Sequence, residues 1–446
     1  MTQLRARTLP DLPGPAAWNS ILGPAPERPA LEGRVSADVV IVGAGFAGLS
    51  AARRLRQLEP GADIVVLEAG GIAEGSAGRN SGFMIDLPHD LMSDDYAGGA
   101  RDRAQIALNR AAIAFAREAV AEYQIDANFF DPAGKVNGAV RARAHQQNLS
   151  YAAHLESLGE ASEMLDAQDM AALTGSRHYR SGLYTPGTVM LQPAGYIRGL
   201  VAGLVRAGVR VHGHSAVTGV TREGGAWRVD AARGAVSAGR VILTVNGHLA
   251  SFGIEAGRLM QLFLYAVMTP ELDADTLARL GGQARWGVTP SDPMGTTMRR
   301  IDTGQGGNRI ITRTCATLAP GCRVGAGHVR RAARVMQRRF DARFPQLAGM
   351  RMEHAWAGHL CLSRNGVAVM RRLDDGLFAG CVQNGLGTAR GTLTGIGAAE
   401  LACGVESAIT RHFGAEDAPA RLPPAPVQAL GGNAVLRVKE WRAGVE

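Results

Sequence analysis

The sequence almost lacks lysine. Lys135 and Lys439 are the only two in 446 residues, so the net charge of +8 rests almost wholly on arginine. A nucleic-acid surface would want clustered basic residues with interleaved aromatics, and aromatics make up only 5% of the chain. The one dense group, Arg330, Arg331, Arg334, Arg338, Arg339 and Arg343 on an expected helix, reads as a solvated face, and no nucleic-acid partner is expected. Cysteine is scarce as well. The five residues Cys315, Cys322, Cys361, Cys381 and Cys403 are odd in number and form no C-x-x-C pair. That argues against a disulfide framework and a zinc site, so a reducing, cytoplasmic compartment and no metal are expected. Long apolar runs are missing, and nothing approaches the roughly eighteen residues a transmembrane helix needs. Residues Met1 to Gly33 are proline-rich and polar without an apolar h-region, so no secretory signal is expected there.

What the chain does have is glycine, 58 in all, within a composition of 46% apolar and 20% charged residues that suits two domains with real cores. The informative glycines begin after Asp38. Val39-Val40-Ile41-Val42 is the β-branched run of a buried parallel strand. It leads into Gly43-Ala44-Gly45-Phe46-Ala47-Gly48, a G-x-G-x-x-G turn. The first glycine permits the tight turn, the second lets backbone approach a pyrophosphate, and the third lets helix pack on strand. A helix is expected from Leu49 to Leu58, stopped by Pro60-Gly61, and Asp63 to Leu67 reads as a second parallel strand. Glu68 follows, about twenty residues past the last glycine, where the fingerprint places an acid on ribose hydroxyls. An acid there repels a 2′-phosphate and disfavours NADP.

Beyond Glu68, Ala69-Gly70-Gly71 leads into Gly75-Ser76-Ala77-Gly78-Arg79-Asn80-Ser81-Gly82, a second small-residue loop that lets backbone approach another part of a cofactor, with Arg79 able to offset pyrophosphate charge. This resembles the D-amino-acid oxidase/glycine oxidase superfamily of FAD enzymes, whose members place a G-x-S-G-R-N-x-G loop after the ribose acid. Within it the likeness is to the gamma-glutamylputrescine oxidase group, and it begins upstream at Pro29-Ala30-Leu31-Glu32-Gly33-Arg34-Val35-Ser36-Ala37-Asp38. The resemblance implies non-covalent FAD bound through Gly43 to Gly48, Glu68, Ala69, Ser76, Gly78, Arg79, Asn80 and Ser81. It also implies an α/β fold: a discontinuous Rossmann-like FAD-binding domain plus an α+β substrate domain with a mixed or antiparallel sheet.

Farther along, Val217 matches the family residue that passes the adenine. Asn246-Gly247 matches the end of the second nucleotide-proximal strand, and Gly385-Leu386-Gly387-Thr388 the last flavin-binding turn. The expected layout is an N-terminal arm over 1–33, the FAD-binding domain over 34–99, 191–256 and 354–417, the substrate domain over 100–190 and 257–353, and a tail over 418–446. Within it, a long helix is expected from Ala100 to Tyr123, a hairpin from Phe129 to Ala144, and a return to the nucleotide domain at His354. The stretch from Asp86 to Gly99 reads as irregular.

The sequence departs from the family where many amino-acid oxidases follow W-x-G with a carboxylate-binding arginine. Trp356-Ala357-Gly358 is followed by His359-Leu360-Cys361, so that clamp is absent, although Arg390 could supply one. Amines or N-substituted compounds therefore become the expected substrates over free α-amino acids. A flavin takes a hydride at N5 from a carbon bearing a neutral amine, giving an imine that water hydrolyses. Positioning suffices, and no catalytic triad is needed. Asn80, Ser81, His359, Gln383 and Asn384 are the candidates around the ring, His359 because imidazole titrates near neutral pH. Electrons would pass to oxygen, giving hydrogen peroxide. The alternatives are an amine or D-amino-acid dehydrogenase serving a quinone or protein acceptor, a nicotinamide enzyme, and a flavin-bearing or RNA-associated subunit. Oligomeric state is left open.

Overall fold

The run Val39 to Ile41 is fully buried because it sits in the middle of a sheet covered on both faces, as the β-branched pattern requires. In the computed structural model, which describes residues 3–11, 13–88, 99–292 and 294–446, these residues end the strand Gly33–Val42. On one side it pairs in parallel with Ile64–Leu67, which pairs in parallel with Arg210–His212. On the other side lies Gly234–Leu243, again parallel. That strand forks. Its first half pairs antiparallel with Ala226–Ala231, while Val241 to Leu243 pair in parallel with Leu377 to Ala379. One sheet thereby combines a five-stranded parallel core with an antiparallel meander. The helix Phe46–Leu58 packs on Ala389–Ala402, with Gly395 against Ala47, where a Cβ would come within 2.0 Å of the Ala47 carbonyl oxygen.

A second sheet faces the first. Its eight strands run in the order His354–Ser363, Leu259–Met268, Arg309–Leu318, Thr297–Ile301, Trp286–Pro290, Lys135–Ala139, Ser181–Thr185 and Glu163–Leu165. Neighbours are antiparallel except Trp286–Pro290 beside Lys135–Ala139. The helix Ala326–Arg343 covers one face through Ala332, Met336 and Phe340. The other face looks toward the dinucleotide sheet.

Several expectations change here. His354–Ser363, expected to open the return to the nucleotide domain, is hydrogen-bonded to Leu259–Met268 in the second sheet along its whole length. The first sheet regains the chain only at Val369–Asp374. The hairpin expected from Phe129 to Ala144 does not form. Phe130–Asp131 pairs with Val189–Leu191 and Lys135–Ala139 with Ser181–Thr185, because long-range partners outcompete the short turn. The long helix spans Gly99–Glu122, close to expectation. Most of the irregular stretch from Asp86 to Gly99 lies outside the described residues.

Both described terminal segments are tied to the body of the protein. Gln3–Arg5 adds an antiparallel edge to Val217–Glu223, and Trp18 is fully buried with its Nε1 donating to the Asn80 carbonyl at 2.8 Å. The expected tail forms the helix Asn433–Ala443, which half of the arginine group grips. Arg331 pairs with Glu440 at 2.6 Å, Arg343 donates to the Val445 carbonyl and Arg339 to that of Glu446. Glu446 accepts from the backbone N–H groups of Val140 and Arg141. Arg330, Arg334 and Arg338 stay exposed. Among the described residues no helix is long and apolar enough to cross a membrane.

Candidate active site

The first parallel strand ends where the chain must turn within one residue. Gly43 has φ of +108°, and a Cβ on Gly48 would stand 1.8 Å from the Gly43 carbonyl oxygen, so the helix can approach the turn only without a side chain there. The helix Phe46–Leu58 then begins on Gly45 with no side-chain cap. Gly45, Phe46 and Ala47 line a cavity, so the first-turn N–H groups and the positive end of the helix dipole meet there. Glu68 reaches the same place. Its Oε2 accepts from Ala44 N at 2.7 Å and its Oε1 from Gly70 N at 3.4 Å, while burial pushes its carboxyl above the usual range. Ala69, Ser76 and Val217 continue the wall.

A second helix points into the other end. Ala389–Ala402 follows Thr388, whose hydroxyl donates to the Phe83 carbonyl at 2.7 Å instead of capping the helix. Gly385, Leu386, Gly387 and Thr388 therefore present backbone at an uncapped helix start, beside Gln383. Across from them, Asn246 Oδ1 and His248 Nδ1 are buried without a hydrogen-bond partner, and both residues line the cavity. Buried polar atoms left unfilled at a cavity wall fit a polar ligand between them.

The remaining candidates divide by what their side chains touch. Asn80 and Ser81 line the cavity, but the Asn80 amide is used within its own loop, donating to the Ala77 carbonyl and accepting from Gly82 N. Arg79 is not aimed at a phosphate. Its guanidinium donates to the carbonyls of Glu74, Pro13, Gly14 and Ala357, tying the N-terminal segment and the second sheet to the loop. Gly78 and Gly247 lie just behind the lining, as does Gly48. Asn384 is also outside it, its amide joining Ser363 N to the Val367 carbonyl. Arg390, the suggested substitute clamp, is outside it too, paired with Glu416 at 2.5 Å.

His359 lines the cavity, buried, with Nε2 2.8 Å from Gln261 Oε1. Because Gln261 Nε2 donates to the Gly247 carbonyl, its Oε1 must accept, which puts the proton on His359 Nε2. Burial and the neighbouring His248, ring centroids 5.2 Å apart, push His359 down to about 3, and burial takes His248 to about 4. Both imidazoles are neutral at working pH, so His359 does not titrate near neutrality as its residue type suggested. Neither Cys361 nor Cys381 lines the cavity, and the Cys381 thiol donates to the Leu243 carbonyl.

A family model described as FAD dependent oxidoreductase matches residues 38–401. The chain belongs to this DAO family. The gamma-glutamylputrescine oxidoreductase of Escherichia coli (strain K12) is 28% identical over 355 residues, covering 77% of this chain and 78% of that one. The probable oxidoreductase OrdL of Rhizobium meliloti (strain 1021) is 24% identical, covering 89% and 90%. Among solved structures, glycine oxidase from Geobacillus kaustophilus superposes with a TM-score of 0.68 at 18% identity, over 87% of this chain and 99% of that one. The cofactor of this FAD-dependent oxidoreductase fits what the cavity offers: two uncapped helix starts, a half-buried acid, and unfilled polar atoms on its wall.

Sequence reasoning missed two parts of this wall. Ala6, Thr8, Leu9 and Pro10 close one side, and Leu264, Ala266, Thr289, Pro290, Thr297 and Arg313 come from the second sheet. None sits in a motif. Only cross-strand pairing brings them together, which linear spacing does not encode.

Proposed function

We propose that this oxidoreductase oxidises the C–N bond of an amine or N-substituted amino compound, with oxygen as electron acceptor and hydrogen peroxide as product. The observation that carries the reading is the make-up of the cavity wall outside the dinucleotide turns. Leu264, Ala266 and Leu360 give it an apolar patch, and the imidazoles that line it, His359 and His248, are held neutral. A wall without an ionised base suits a donor that needs orientation rather than proton abstraction from carbon. The E. coli relative is named for an oxidoreductase of an amine, gamma-glutamylputrescine.

In this reading the first turn of Phe46–Leu58 would hold the pyrophosphate, Glu68 the ribose hydroxyls, and the strand at Val217 the adenine. The start of Ala389–Ala402 would hold the flavin ring, where its dipole would favour negative charge gathering on reduction. Bound FAD supplies a two-electron acceptor for hydride from the carbon next to a neutral amine, leaving an imine that water hydrolyses. Leu264, Ala266 and Leu360 exclude water from the reacting carbon. Gln383 and the neutral His359 give its surroundings polar edges without charge. With Cys361 and Cys381 behind the wall, the cofactor is bound without a covalent link. The five free cysteines suit a cytoplasmic enzyme.

The test is an anaerobic visible spectrum of the holoenzyme against a panel of amines and N-substituted amino acids, followed by admission of air. Bleaching by an amine, with colour and peroxide returning in air, supports the proposal. Bleaching without return moves the acceptor to a quinone or a protein. No bleaching by any amine refutes C–N oxidation.

A further inference from the structure

The arginines around the cavity are occupied, with one exception. Arg79 is spent on four carbonyls. Arg299, fully buried, donates to the carbonyls of Ser81 and Leu191 and to Gln305 Oε1 at 3.0 Å. Arg390 has Glu416. Arg313 lines the cavity, yet among the described residues no carboxylate pairs with it and no hydrogen bond holds its guanidinium. Burial holds it below the usual arginine range with no charged neighbour to offset the cost. A half-buried cation at a cavity wall, with five donors that no protein group takes, is matched by an acceptor that fills the space before it.

The strand register shows what surrounds it. Arg313 pairs with Thr297 on one side and Ala266 on the other, and Ala266 pairs with Trp356. Directly opposed residues share a face of the sheet, so Thr297, Arg313 and Ala266 form one row, and all three line the cavity. Thr289 lines it as well, and a buried lysine stands behind that residue. Lys135 Nζ lies 3.4 Å from Thr289 Oγ1 and also donates to Asn137 Oδ1. This end of the cavity is thus walled by hydroxyl-bearing side chains and flanked by two cations, Lys135 buried and Arg313 half-buried.

We infer that Arg313 binds a carboxylate on the amine substrate, making the donor a carboxylate-bearing amine, with Thr297 beside it in the same row. This rests on the C–N oxidation proposed above and narrows it. The guanidinium fork matches a carboxylate with two parallel hydrogen bonds. The anchor differs in place from the W-x-G clamp of other amino-acid oxidases. Leu360 pairs with Leu262, and Ala266 with Arg313. The two positions are therefore two strands apart, ~10 Å, and offset by four residues along the strand, ~13 Å. A substrate seated on Arg313 enters from the opposite end of the sheet face, with its apolar portion against Leu264 and Leu360.

The experiment uses the FAD-loaded enzyme and two readouts. The first is titration with benzoate, a simple carboxylate, followed in the visible flavin spectrum. The second is the ratio of kcat/KM for an amine carrying a carboxylate to that for the same amine without it. Arg313→Gln is expected to weaken benzoate about 30-fold or more and to lower the ratio about 100-fold, as loss of one partner of a buried charge pair does. Arg313→Lys keeps the charge but not the fork and falls between, about tenfold below wild type. Equal benzoate affinity and an equal ratio in wild type and Arg313→Gln, both with full FAD, overturn the inference. If Arg313→Gln loses FAD, the lysine variant decides: a tenfold loss supports the inference and an unchanged affinity overturns it. The two readings fail separately. Wild type that binds benzoate through Arg313 but is bleached by no amine refutes C–N oxidation alone, whereas rapid oxidation of uncarboxylated amines with no benzoate binding refutes the role of Arg313 alone.

Discussion

Glu68 ties FAD affinity to pH, and the sign follows from its surroundings. Burial raises the carboxyl above its ordinary 4.5, against the lowering effect of N–H donors from Ala44, Gly70 and Ala69. Because the folded-state value is raised, the apoprotein retains a proton on Glu68 to higher pH than an unfolded chain does, and stability from this group declines as pH rises through that interval. If Glu68 holds the ribose as proposed, its hydroxyls would donate to the ionised form, and FAD binding would require release of that proton. Affinity is therefore expected to rise with pH, by at most about tenfold per unit for one proton, and to level off above the raised value. Glu68→Gln keeps the shape but replaces one acceptor with an NH₂ that must face either Ala44 N–H or Gly70 N–H. Losing hydrogen bonds to a charged group costs about 1.5–3 kcal/mol, or roughly 10–150-fold in FAD affinity. Fluorescence titration of apoprotein with FAD from pH 4.5 to 8 measures both quantities. A slope that survives in Glu68→Gln, or an unchanged affinity at pH 8, would refute the assignment of Glu68 to the ribose.

Gly48→Ala places a methyl where only 1.8 Å separates it from the Gly43 carbonyl oxygen; the helix must retreat, at a cost of about 1–3 kcal/mol or more, and the protein should purify with markedly less flavin by its 450 nm to 280 nm absorbance ratio. Trp18→Ala empties a fully buried site and frees the Asn80 carbonyl; a loss of about 3–5 kcal/mol in denaturant unfolding is expected, and a loss under about 1 kcal/mol would show that the N-terminal segment merely rests on the site. His359 and His248 have folded values near 3 and 4, below the usual 6.5. The unfolded chain takes up protons first, so stability should fall as pH drops below 6.5, by up to about 1.4 kcal/mol per unit per imidazole, and His359→Gln should reduce that slope in chemical denaturation. For the same reason, flavin reduction between pH 6 and 9 should track the pKa of the substrate amine, and a less basic amine should move the profile downward.

The dinucleotide half was legible because its contacts are close in sequence. Gly43, Ala44 and Glu68 lie within one strand–turn–helix–strand unit, and Ala44 N reaches Glu68 across only 24 positions. Each glycine has a local geometric reason that any chain with that turn must satisfy. The second sheet offered no such signal. Arg313 meets Thr297 and Ala266 through register alone, and Gln261 fixes the tautomer of His359 from 98 residues away. His354–Ser363 misled because one strand does two things: its backbone pairs with Leu259–Met268, while Gly358, His359 and Leu360 line the cavity the first sheet also forms. A motif that marks cofactor proximity does not say which sheet carries the strand. The C-terminal segment reads as a tail by composition, yet Glu440 and Glu446 find Arg331, Val140 and Arg141, more than a hundred residues earlier.

This asymmetry has a physical consequence for how such an enzyme changes its donor. In the proposed arrangement the cofactor would be held by backbone N–H groups at two helix starts and by one acid, so its binding would depend on turn geometry that few side chains can alter. The donor would meet instead the side chains of a sheet face, where each position is backed by strand pairing that stays in register when the side chain is exchanged. An arginine can therefore leave position 360, and one can serve from position 313, without disturbing the turn at Gly43 or the helix start at Thr388. The cost of such a move is the desolvation of the new cation. At Arg313 that cost has no protein partner among the described residues to offset it, and in the proposed role an anionic group on the donor would supply one. A cation in that state would discriminate between donors, because one without the anion leaves it unpaired.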